Sequence, residues 1–92
     1  MGLDGVEIVL EVEDAFSISV PDDEGGEVRT VSNLVDLVIR RLRDSDDPPV
    51  IDDAALRPMI LENIRGIIVD QMAIDPERVT PEANLVEDLG ID

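Results

Sequence analysis

The chain has no cysteine, histidine, lysine, tryptophan or tyrosine, and Phe16 is its single aromatic residue. Without histidine and cysteine it lacks the usual general base, the usual nucleophile and the soft metal ligands, so an enzyme is not expected. No disulfide framework points to secretion, and there is neither a signal peptide nor an apolar run of membrane length. The opening Met1-Gly2 is similar to a myristoylation start, but Val6 stands where serine or threonine is needed. A soluble, cytoplasmic protein is therefore expected. The apolar set is almost wholly aliphatic, which suits packed helices better than an aromatic-rich β-sandwich.

What is present in excess is negative charge. Twenty-three acidic residues face seven arginines, a net charge of −16 over 92 residues. Nucleic acid and anionic membranes are excluded as partners by that balance, and a basic protein surface is favoured. Hydrophobic residues still make up 43% of the chain, enough to argue for one small folded domain over disorder. Paired carboxylates at Asp22-Asp23-Glu24 and Asp46-Asp47 offer oxygen ligands, but no calcium-loop pattern surrounds them, so no metal site is assigned.

Apolar periodicity predicts an all-α chain. In Leu3–Phe16, Val6, Val9, Val12 and Phe16 form one helical stripe, while Asp4, Glu7, Glu11 and Asp14 form a second, acidic one. The segment is rich in β-branched residues, but strict alternation fails at Ile8-Val9-Leu10, so helix is preferred. A proline-led acidic turn follows near 22–27, broken by Gly25-Gly26. The clearest helix is 31–43, with Thr30 as N-cap, Val31, Leu34, Val35, Val38, Ile39 and Leu42 on its apolar face, and Arg40, Arg41 and Arg43 in its last turn. Residues 43–57 are acidic and proline-broken and are expected to be a linker. Pro58 then opens a helix over 58–73, with Met59, Ile60, Ile64, Ile67, Ile68 and Met72 facing inward. The rest is expected to be a long structured loop with Val79, Leu85 and Val86 pointing inward.

Two motifs carry a resemblance. Glu87-Asp88-Leu89-Gly90-Ile91-Asp92 fits the [DE]-D-L-G-x-D-S-L motif of acyl carrier proteins up to its serine. Leu3-Asp4-Gly5-Val6-Glu7 matches the Leu-Asp-x-Val-Glu that follows that serine, and Phe16, Val20-Pro21-Asp22 and Val28-Arg29-Thr30-Val31 continue the match. Residues 58–92 thus resemble the family's first half and 3–42 its second, in reversed order. The resemblance implies a three- or four-helix acyl-carrier-like bundle in circularly permuted order. Such permutation is physically reasonable where a domain's original ends lie close together. Rejoining the halves sets Asp92 beside Gly2, within one chain or across a swapped pair, so a monomer and a swapped dimer both fit.

The family bears 4'-phosphopantetheine on that serine, and the register puts Gly2 there, flanked by Asp92 and Leu3. Glycine has no hydroxyl, so the group is not expected on this chain. Ser17, Ser19 and Ser32 lie elsewhere in the matched pattern, and Ser45 is followed by Asp46 where leucine is wanted. The resemblance further implies partner binding through Leu3, Asp4, Glu7, Glu11 and Asp14, against basic surfaces of synthase or transferase enzymes. It also implies an acyl pocket at Val12, Val20, Val28, Leu34 and Leu85, positions that plain core packing explains better when no acyl group is tethered. Three functions stay open: an acyl-carrier module of fatty acid or polyketide type, a non-carrier acidic docking or regulatory protein that occupies carrier-binding partners, and an acidic domain imitating nucleic acid.

Overall fold

The computed structural model describes residues 3–91, and among these the secondary structure is helical. The elements are α1 (Leu3–Phe16), a single-turn α2 (Asp22–Gly25), α3 (Val31–Arg43), α4 (Asp53–Met72) and a 3-10 turn, Pro76–Arg78. Helix α4 is the central element: α3, α1 and the 3-10 turn all pack against it. Its contribution is the row Leu56, Ile60, Ile64 and Ile68, spaced by four residues and buried throughout. The expected all-α bundle is observed, and the expected short turn is α2.

Local chemistry fixes the helix ends. Thr30 Oγ1 accepts from the Asn33 amide at 3.1 Å while Asn33 Oδ1 accepts from the Thr30 amide at 3.1 Å, a reciprocal capping box that starts α3. The next two free amides of α3 are satisfied by the C-terminal loop. Val31 N–H donates to the Ala83 carbonyl at 3.1 Å and Ser32 N–H to the Pro81 carbonyl at 2.9 Å. The loop is thereby part of the cap of α3. It also completes the core, burying Val79, Ala83, Leu85, Leu89 and Ile91.

Three expectations need correction. Helix α4 begins at Asp53, not at Pro58, because Asp52 caps it: Asp52 Oδ1 accepts from the Ala55 amide at 2.9 Å. The stretch 53–57 is therefore helical, and Leu56 joins the core. Met59 is 57% exposed, since the buried row runs through Leu56 and Ile60 and turns Met59 outward. Val86 is also exposed, because Asn84 Oδ1 accepts from the amides of Val86 and Glu87 and folds that backbone into a turn.

Pro58 lies inside α4 and has no N–H to give the Ala54 carbonyl. Restoring that bond by Pro58→Ala is expected to raise stability, by up to about 3 kcal/mol. Urea unfolding checks it. An unchanged or lowered midpoint would mean that the first turn of α4 does not form.

Candidate functional site

Helix α1 buries Gly5, Ile8 and Val12 against the bundle. That face is rotated from the expected Val6–Val9–Val12–Phe16 stripe. Val12 is fully buried, Val9 and Phe16 are partly buried, and Val6 is 50% exposed. The reason lies in the packing. With Gly5 and Ile8 turned toward the bundle, the 100° step per residue carries Val6 to the flank. Leu3 and Leu10 join it there, at 81% and 58% exposure.

The solvent side of α1 thus has two parallel strips. Glu7, Glu11 and Asp14 are exposed and Asp4 is partly exposed, making one acidic strip. Leu3, Val6 and Leu10 form an apolar strip beside it. Leu3, Asp4, Glu7, Glu11 and Asp14 all share this side, whereas Val6 and Leu10 are additions that the apolar periodicity did not separate from the core. Large exposed aliphatic residues lying side by side are the uncommon feature, since scattered ones are ordinary.

Glu13 is not part of the acidic strip. Its Oε2 accepts from the Val20 amide at 2.8 Å, fastening the connector after α1 back onto the helix. This holds the α2 turn beside α1 and leaves a cleft of about 240 Å³ between them, lined by Val6, Val9, Leu10, Val20, Pro21 and Gly25, among others. Glu24 in α2 pairs with Arg40 at 3.5 Å and Arg41 at 3.3 Å, so the far wall of the cleft is tied to α3.

Of the residues assigned to an acyl pocket, Val12, Val28, Leu34 and Leu85 are buried in one continuous core, with Val20 packed against it. Val20 is the member that also lines the cleft. The motif at the end of the loop is folded tightly. Leu89 and Ile91 are buried, the Ile91 amide donates to the Leu85 carbonyl at 2.9 Å, and Gly90 adopts φ +69°. The expected junction of Gly2 with Asp92 lies outside the described residues.

Two of the described serines lie at or beside opposite ends of α3. Ser45 Oγ donates to the Leu42 carbonyl at 2.6 Å, at the C-terminal end of α3. Ser32 lies in the first turn of α3, where the loop carbonyl of Pro81 takes its amide. Among the described residues no cluster of acidic side chains is arranged to hold a metal ion, and no helix is long and apolar enough to cross a membrane.

Comparison with known proteins yields one consistent result. No family model matches the chain, and no solved structure matches it significantly. Curated acyl carrier proteins do match. A 33-residue stretch is 52% identical to the acyl carrier protein of Thermosynechococcus vestitus, covering 36% of this chain and 41% of that protein. Acyl carrier protein 2 of Ralstonia nicotianae is 61% identical over 33 residues, again 36% and 41% of the two chains. The acyl carrier protein of Rubrobacter xylanophilus is 43% identical over 37 residues, 40% and 46% of the two. The matched stretch spans less than half the length of each of these relatives, and over that stretch the chain is similar to curated acyl carrier proteins.

Gly90 gives a test of the motif loop. An added Cβ would meet nothing within 4 Å, so the cost of Gly90→Ala is conformational strain at positive φ alone. A loss of about 1 kcal/mol is expected in chemical unfolding, with the native circular dichroism retained. No loss would mean that the loop does not hold this conformation.

Proposed function

We propose that the chain is a non-catalytic, acyl-carrier-type module that docks through α1 on the basic surfaces of synthase or transferase enzymes. The observation that carries this is the pairing of strips on α1: exposed carboxylates beside exposed Leu3, Val6 and Leu10. Carboxylates steer a basic partner and fix orientation, while the apolar strip supplies area that leaves water on contact. This helix is also the segment that resembles the one following the family's serine.

On this reading the two halves form an acyl-carrier bundle in circularly permuted order, with the modified position falling at Gly2. The chain as it stands is then a docking module without phosphopantetheine, in the first instance an unmodified carrier of fatty acid or polyketide type. A second reading, a regulatory protein that occupies carrier-binding enzymes, is favoured by the same missing hydroxyl. The cleft between α1 and α2 would admit an apolar group beside Val20 in either case.

Two measurements test this. Incubation with coenzyme A and a broad-specificity phosphopantetheinyl transferase is expected to leave the intact mass unchanged; a gain of one phosphopantetheine would overturn the unmodified state. Binding to a carrier-dependent enzyme is expected to weaken with salt and to fall about tenfold or more in the Glu7→Lys/Glu11→Lys variant, with the fold intact. Binding indifferent to both would remove α1 as the docking element.

A further inference from the structure

The segment joining α3 to α4 carries a second surface feature. Residues 44–52 contain no helix, yet Arg43 holds the segment at several points. Its Nη1 donates to the Pro49 carbonyl at 2.6 Å, its Nη2 to the Ile51 carbonyl at 2.6 Å, and Nη2 also pairs with Asp53 Oδ1 at 2.7 Å. The two carbonyls flank Val50. One guanidinium therefore fixes the backbone on both sides of a residue whose side chain is fully exposed.

Val50 is not isolated. Ile51 and Met59 are exposed as well. Pro49 forms one wall of an apolar cleft of about 310 Å³ whose other walls include Phe16, Leu42, Leu56 and Met59. Asp44, Asp46 and Asp47 are exposed on the same segment, and none of them has a cationic partner among the described residues.

We infer that the 44–52 strap is a second docking element, separate from the two strips on α1, for a protein partner presenting an apolar patch rimmed by lysine or arginine. The charge of the strap selects a basic rim, and Val50 with Ile51 and Met59 selects an apolar centre. The Arg43 clamp makes this effective, because a loop already held in one conformation loses little entropy on binding. Valine adds to this, having few rotamers to lose.

The test uses a short peptide of alternating lysine and leucine, with an all-lysine peptide of equal charge as control. Both are titrated into the isotope-labelled Glu7→Lys/Glu11→Lys variant, in which α1 has lost its central acidic charge. The lysine–leucine peptide is expected to shift the signals of Val50, Ile51 and Met59. Val50→Ser is expected to weaken its binding about tenfold, the loss of one valine's buried surface. Arg43→Gln, which frees the strap, is expected to weaken it too; should that variant unfold, Val50→Ser at an exposed site decides the matter. Equal shifts from the all-lysine peptide, unchanged affinity in Val50→Ser, or concentration-dependent shifts at Val50 without peptide (a second copy as occupant) would each overturn the inference. Failure here with α1 docking intact would leave the proposed function standing.

Discussion

A net charge of −16 on so small a chain is the constraint to which the rest of the structure answers. Like-charge repulsion opposes any compact state, and only seven arginines are available against it. Most are placed as ties between elements. Arg40 and Arg41 join α3 to α2 through Glu24, Arg57 joins α4 to Asp36 of α3, and Arg43 bonds the strap. Arg65 donates Nε and Nη2 to the Val79 carbonyl, and Arg78 donates to the Asp88 carbonyl, so both hold the C-terminal loop. Exposed ion pairs contribute little individually, about 0–1 kcal/mol each. Arginines that also bond loop carbonyls do more, because they satisfy backbone groups no helix provides for.

Among the described residues, the carboxylates on the exposed side of α1 have no ion-pair partner. Under the proposed function, the same shortage that makes the arginines structural is what offers α1 to a basic partner. Fold and proposed function share one electrostatic cause. The aliphatic core beneath needs no polar support: it has no buried polar or charged residue among those described.

How much of this was legible in sequence depended on whether a segment had a single periodic solution. Helix α3 did: its apolar stripe, Thr30 cap and terminal arginines all pointed the same way, and the structure adds Leu37 to the buried set and leaves Leu42 partly buried. Helix α1 was legible in extent but not in rotation. Val6, Ile8, Val9 and Leu10 are equally apolar, and the buried face is chosen by contact with α4, which no local pattern encodes. The start of α4 was hidden by Pro58, which reads as a first-turn proline and draws the boundary past Asp52, the residue that caps the helix. The C-terminal loop has no period at all. Its buried residues are set by turns, such as the one around Asn84, and by the carbonyls it gives to α3. The acidic strip was plain in sequence because charge spacing along a helix needs no knowledge of the core; the apolar strip beside it was not.

The most direct measurement is hydrogen–deuterium exchange on the chain alone and bound to a carrier-dependent synthase or transferase. Protection gained on binding should concentrate in α1, Leu3–Phe16, with the α2 turn next to it following and the interior rows of α3 and α4 unchanged. Protection gained elsewhere while α1 exchanges as it does in the free chain would contradict the account.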